Sequence, residues 1–255
     1  MNSNAPLAHH NCLNCNNEII DKYCESCGQK STTHRYSLIH FIEHDFVHGV
    51  WHVDKGILYT IKELFTRPGH SVREFIQGKR ARLFNFVTLI MIILTVSTLL
   101  APYIHIRLTD IMPKNIQATM GEIEKFSTKY PKLMVLILIP FYSLFSFLWF
   151  KKAKLNYSEH LVLNSYKTSV ELIIGLLFSI LTIFYTNPTS LFIIYYVFVG
   201  LGGMIYSVWF YSQFFSRYGY SNKAAIFRAI MIPVSYLFLS AFVGFAIAIV
   251  SKLIK

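Results

Sequence analysis

The chain has 255 residues, 54% of them hydrophobic and only 15% charged, with a mean hydropathy of +0.44. Soluble domains carry roughly 25% charged residues, so this composition excludes an ordinary soluble domain and implies a polytopic membrane protein. The net charge of +11 would suit a nucleic-acid binder, but the Lys and Arg residues sit mainly beside apolar runs instead of striping a soluble domain, and no nucleic acid is expected as a partner.

The first element is a pair of CxxC knuckles, Cys12-Leu-Asn-Cys15 and, eight residues on, Cys24-Glu-Ser-Cys27. Two such pairs offer four thiolates to a tetrahedral ion, so residues 1–32 are expected to form a small zinc-ribbon-like domain with structural Zn2+ on Cys12, Cys15, Cys24 and Cys27. In knuckles of this kind backbone amides face the sulfurs, and Gly28, directly after Cys27, fits the position that requires a positive φ. Four protein ligands leave no open coordination position, so the ion would fold the segment and do no catalysis. A rubredoxin-type iron, a redox dithiol and four free thiols are the competing readings. With every cysteine inside the first thirty residues a disulfide scaffold is not expected, and the first eighty residues contain no apolar run of a cleavable signal peptide.

Residues 33–83 read as amphipathic juxtamembrane helices. From Tyr36 to Phe65 apolar residues recur at three- and four-residue spacing, the period of a helix, with a break near Gly49 or Gly56. Pro68-Gly69 then punctuates the chain, and Ser71-Val-Arg-Glu74 has the form of a capping box opening a second short helix. Arg73, Lys79, Arg80 and Arg82 are placed at anionic lipid headgroups, where a surface cation contributes about 1 kcal/mol.

His40, His44, His48 and His52 are spaced four apart and would form a drifting row on one continuous helix, where adjacent imidazoles can share a metal ion. His40-Phe-Ile-Glu43-His44 matches the H-x-x-E-H pattern of inverted zinc peptidases, a short pattern that arises readily by chance and here has no clear third ligand. The alternative is a polar interfacial face that titrates near neutrality and senses pH.

From Phe84 to Ile104 there is no charged residue and no histidine, long enough to cross a hydrocarbon core of roughly 30 Å. This opens the membrane domain, 84–255, with about five expected spans at 84–104, 133–150, 170–186, 190–215 and 230–250. Between the first two, Arg107 to Lys132 suggests a short amphipathic helix outside the bilayer. Pro140 lies inside the second span and removes a backbone hydrogen bond, so a kink is expected there. Lys167 and Glu171 precede the cleanest part of the third and are placed at the membrane surface. Of the 24 Lys and Arg residues, seventeen fall before the first span or in the second-to-third and fourth-to-fifth connections, which makes that side cytoplasmic and puts the C-terminus outside. A reducing cytosol also preserves zinc thiolates.

Within the spans, Ser240, Gly244 and Ala248 form a small-residue row suited to close helix packing. Gly200, Gly202 and Gly203 favour close packing over a hinge or an unwound ion site. No carboxylate is expected at mid-membrane, which argues against an ion-coupled transporter.

The ordered set Tyr23-Cys24-Glu-Ser-Cys27-Gly28-Gln29-Lys30, Asp54-Lys-Gly56, Arg67-Pro68-Gly69, Arg73-Glu74-Phe75-Ile76 and Gly78-Lys79-Arg80 resembles an uncharacterised family of bacterial integral membrane proteins, a domain of unknown function. The resemblance is specific through about Leu100 and continues beyond it only in character. Relatives carry Asn-Pro after the basic motif, where this chain has Asn85-Phe86. It implies an N-terminal zinc ribbon, R-P-G and G-K-R motifs and several spans, and it implies no activity. The expectation is therefore an all-α polytopic protein of the bacterial inner membrane, without enzymatic activity, whose cytosolic zinc site and juxtamembrane helices serve a protein partner or the lipid surface. A channel or transporter for a small or lipidic solute is the second reading, and a metal-dependent membrane hydrolase built on the histidine row is the third.

Overall fold

The computed structural model describes residues 11–33, 35–37, 56–106, 108–111 and 129–253, and for 108–109, 131–133, 135–136 and 240–253 it describes the backbone only. Helix α1 (Ile57–Thr66) begins after Gly56, and α2 (Pro68–Ile76) follows after the single residue Arg67. Pro68 sets that restart, because its fixed φ suits a first helical position and its missing N–H is one that a helix end leaves unpaired anyway. The capping box expected at Ser71 and Glu74 is therefore not a helix start: Ser71 lies inside α2, and its Oγ donates to Glu63 Oε2 of α1.

Helix α3 (Phe86–Leu100) ends in a 3-10 turn at Ala101–Tyr103. Its start is fixed by Asn85, whose Oδ1 accepts from the amides of Val87 at 2.8 Å and Thr88 at 3.3 Å. Helix α4 (Pro131–Trp149) contains Pro140, whose carbonyl accepts from Tyr157 Oη. Helix α5 (Tyr157–Phe184) opens with a full capping box, in which Asn156 Oδ1 accepts from Glu159 N and Glu159 Oε2 accepts from Asn156 N, both at 2.8 Å. Helix α6 (Pro188–Phe215) is α-helical over Pro188–Ile194, π-helical over Tyr195–Leu201 and α-helical again over Gly202–Phe215. A turn at Gly219, φ 71°, leads to α7 (Asn222–Leu253), which carries a second internal proline, Pro233.

Among the described residues four helical stretches are long and apolar enough to cross a membrane: Phe86–Tyr103, Tyr157–Phe184, Pro188–Phe215 and Asn222–Leu239. The second expected span falls on α4, whose apolar stretch Ile137–Trp149 is shorter. The third departs most from expectation, since α5 starts at Tyr157 and not near residue 170. Its 28 residues measure about 42 Å at 1.5 Å each, more than a hydrocarbon core requires. The extra length is wrapped by protein: α5 is buried from Ser158 through Val170 and opens outward only from Glu171.

The same division runs through the bundle. In α6 the buried side chains apart from Leu191 are Tyr206, Ser207, Phe210, Tyr211, Phe214 and Phe215, all toward its C-terminus, and in α3 they end at Leu94. One end of the bundle is thus a packed core, closed by α1 and α2. The other end exposes Leu177, Phe184, Ile193, Phe198 and Leu201, large apolar side chains that a hydrocarbon phase would cover. Helices α1 and α2 were expected on an interfacial surface, and for α2 the structure differs. Almost all of α2 is buried, including Val72, Arg73, Phe75 and Ile76, because it packs into α5 and α6. Helix α1 buries Thr60 and Glu63 beside Leu64 and leaves Leu58 exposed.

Candidate metal centre

The two knuckles repeat one turn. Cys12 N donates to Asn17 O and Asn16 N to Cys12 O; in the second copy Cys24 N donates to Gln29 O and Gly28 N to Cys24 O, all at 2.8 Å. Each turn needs a left-handed residue after its second cysteine, supplied by Asn16 at φ 64° and Gly28 at φ 73°. Asn tolerates that region through local hydrogen bonding, so the first knuckle manages without glycine. Single bridges, Asn11 to Glu18 and Tyr23 to Lys30, close the turns, and no β-strand forms among the described residues.

This repeat brings the sulfurs together. Cys12 Sγ lies 3.5 Å from Cys27 Sγ, Cys15 Sγ lies 3.5 Å from Cys24 Sγ, and all four are within 4.8 Å of one another. A tetrahedral ion with metal–sulfur bonds of about 2.3 Å places its ligands about 3.8 Å apart, so the set fits one cation. The proton chemistry agrees. At Cys15 the Asn17 amide favours the thiolate, but desolvation and the sulfurs of Cys24, Cys27 and Cys12 outweigh it and push the thiol up to about 12. At Cys27 burial raises the thiol, yet the Gln29 amide with Asn14, Cys12 and Cys15 brings it down to about 7. Sulfurs this close do not all ionise without a cation to share their charge.

Gln29 ties the knuckles to the helices. Its Nε2 donates to Gly78 O at 2.6 Å and its Oε1 accepts from Arg80 N at 3.1 Å, with the side chain only 3% exposed. Gly78, at φ 113°, lies so close to Leu13 of the first knuckle that an added Cβ would come within 2.7 Å of its Cδ1. Arg80, expected at lipid headgroups, instead lays its guanidinium over the Tyr36 ring, 4.0 Å from the centroid. Beside it Arg35 donates to both carboxylate oxygens of Glu159, at 2.6 and 2.7 Å, which holds the Arg35 guanidinium above its usual value.

A second joint links α2 to α6. Gln213 Oε1 accepts from Gly69 N at 2.8 Å and His70 N at 3.3 Å, capping the start of α2. Arg73 Nη1 returns the favour to the end of α6, donating to Gln213 O at 2.9 Å and Phe214 O at 2.8 Å. Arg73 is 2% exposed, so it is a buried cap and not a headgroup contact. Gly69 makes the approach possible: an added Cβ would collide with the Phe214 amide and come within 2.5 Å of Phe210 O. Arg73 also donates to His70 Nδ1. Burial, then the charges of Arg73, Arg217 and Arg67, holds His70 below its usual value, which keeps it the neutral acceptor that this bond requires.

Lys167, expected at a membrane surface, lies inside the bundle, and Glu171 beside it is half-buried. Lys167 is 1% exposed, its Nζ is 2.7 Å from Glu171 Oε1 and 3.7 Å from the Tyr142 ring centroid. The contact is a charge pair without an aligned hydrogen bond. One turn earlier Ser146, His160, Asn164 and Tyr211 join α4, α5 and α6 through a closed chain of hydrogen bonds. Gly200, Gly202 and Gly203 do not mark close packing. An added Cβ at Gly203 would meet nothing within 4 Å, and Gly200 belongs to the π-helical stretch. Lys79 and Arg82 are exposed. Ser240, Gly244 and Ala248 lie on the backbone of α7, and His40, His44, His48 and His52 lie outside the described residues.

Residues 54–98 match the model of a family described as "Protein of unknown function (DUF3667)". No curated protein and no solved structure matches the chain. The matched stretch holds Gly69, His70, Arg73, Gly78 and Arg80, the residues of both joints on the helical side. Sequence reasoning missed Gln213 and the function of Gln29, and misplaced Lys167. For Lys167 a signal was present: a Lys and a Glu four apart at the head of an otherwise apolar run form a pair on one helix face.

Proposed function

We propose that the chain is a non-enzymatic integral protein of the bacterial inner membrane, in which a cytosolic structural zinc ion fixes a small module onto the packed end of the bundle to serve a protein partner or the lipid surface. The observation that carries this reading is the sulfur tetrad docked through Gln29 onto the Gly78–Arg80 turn. Four thiolates fill a tetrahedral ion, so the ion would stabilise and not catalyse. The N-terminus is cytoplasmic and the C-terminus outside, with α4 as the fifth span. Elemental analysis of the purified full chain in detergent is expected to give about one zinc per chain, lost in Cys24→Ser with Cys27→Ser. Iron, or far less than one equivalent of zinc, would overturn the assignment.

A second reading, a channel or transporter, is favoured by the pair of buried Lys167 with half-buried Glu171, since ionisable groups inside spanning helices mark ion and substrate paths. Solute flux into proteoliposomes that Glu171→Gln abolishes at unchanged protein yield would establish it; membranes no more permeable than empty ones would end it.

A further inference from the structure

A cleft of about 210 Å³ opens between the first knuckle and helices α1 and α2. Asn14 and Cys15 form its knuckle wall, and the rest of its lining falls within residues 54–98, the stretch that matches the family. The site is thus built where the metal module meets the matched segment.

Its charges are unevenly satisfied. On the helical side Arg67 is shared by two carboxylates, with Nε on Glu63 Oε2 and Nη1 3.5 Å from Glu74 Oε1. Glu63 is 8% exposed and also accepts from Ser71 Oγ, whereas the Glu74 side chain is 33% exposed and has only that long contact to Arg67 among the described residues. Also in the lining, Lys79 and Arg82 are exposed, and among the described residues neither is ion-paired. The cleft therefore offers two cations without an ion pair among the described residues and, within the same small volume, one carboxylate with a single long contact. An anion alone would satisfy the first and repel the second. A phosphate ester carrying an amine satisfies both, with phosphate oxygens on Lys79 and Arg82 and the ammonium on Glu74.

Helix α1 supplies the context. It exposes Leu58 to 80% and Phe65 to 39%, apolar side chains beside Tyr59 and Glu63 of the cleft lining that a bilayer would cover. We infer that the cleft between the metal knuckle and α1–α2 is a binding site for a zwitterionic aminophosphate headgroup, taken from a phospholipid of the adjoining leaflet. This rests on the lipid-surface reading above and adds the headgroup chemistry and the residues that read it.

The test uses the full chain. In detergent it is titrated with O-phosphoethanolamine and with inorganic phosphate, and in nanodiscs the retained lipid is identified by native mass spectrometry after mixing phosphatidylethanolamine with phosphatidylglycerol. Phosphatidylethanolamine retained by the wild type and lost in Lys79→Gln with Arg82→Gln supports a lipid source. Binding of O-phosphoethanolamine about tenfold tighter than phosphate, with Glu74→Gln erasing the difference, supports the chemistry with a soluble source. Equal retention of both lipids together with no preference for the amine, or any binding untouched by the Lys79 and Arg82 substitutions, overturns the inference. Both cations are exposed, so unchanged zinc content and melting temperature in the double variant separate loss of the site from loss of fold. Absent zinc with intact headgroup selectivity would sink the metal reading alone.

Discussion

The two halves of the helical bundle solve different problems with the same helices. At the knuckle end α5 is buried from Ser158 to Val170 and its neighbours are joined by side chains that cap one another's backbones: Gln213 on α2, Arg73 on α6. At the far end the same helices turn Leu177, Phe198 and Leu201 outward, and Gly203 of α6 faces open space. Water is the competitor at the first end, so every buried polar group there needs a partner. A hydrocarbon phase over the second end would make loose helix packing there cost little. The knuckle-side core positions the cysteine module, and the far half exposes the apolar surface that lipid would cover.

That contrast can be broken most severely at Gly69. Gly69→Val would drive a side chain into the α6 backbone and is expected to cost more than about 3 kcal/mol, read as loss of folded protein in a detergent melt. A melt that moved little would mean that α2 is not held against α6. Next in size is Glu171→Gln, which leaves the Lys167 ammonium buried without a counter-charge at a cost of about 3 kcal/mol. Lys167→Met combined with Glu171→Leu should recover most of that stability, and failure to recover would point to a site that needs its charges.

A smaller effect belongs to His70. Its folded value lies below that of the unfolded chain, so the unfolded state binds the proton first; stability present above about pH 6.5 is lost as pH falls through the folded value. His70→Gln should flatten this acid limb in melts run across pH, and an unchanged limb would place the acid sensitivity elsewhere. The smallest shift, with opposite sign, is expected at Gly203→Ala. An added methyl meets nothing, so the gain in helix propensity should stabilise by no more than about 1 kcal/mol. Clear destabilisation would mean that the far half of α6 packs against something, another copy of the chain being the simplest candidate.

The spans and the knuckles were legible because each is a one-dimensional signal: an uncharged apolar run, and cysteines at fixed spacing. The caps at Asn85 and in the Asn156–Glu159 box act within four residues and were still passed over, while the box expected at Ser71–Glu74 is not a helix start. The joints were not. Gln213 meets Gly69 across 144 residues, and nothing in either neighbourhood announces the other. Arg73 looked like a surface cation because basic residues next to a membrane usually are, and its partners are backbone carbonyls that every helix end provides. Lys167 was misplaced for a related reason: a charge suggests the surface until the ring of Tyr142 and the carboxylate of Glu171 are seen around it.

The reciprocal caps between α2 and α6 also impose an order on how the chain is made. The sulfurs of Cys12 and Cys27 are 15 residues apart, so the metal module can close while most of the polypeptide is still being synthesised. Helix α2 emerges soon afterwards, but the side chain that caps its first amides is 144 residues further on. Until α6 has been inserted, α2 stays uncapped and Gly69 has nothing to lie against. Helix α2 therefore forms early and docks on α6 late, after the three apolar helices α3, α4 and α5 have been made in the interval. A nascent chain arrested after α5 should hold its metal and still leave α2 open to protease, with protection appearing only once Gln213 has cleared the ribosome.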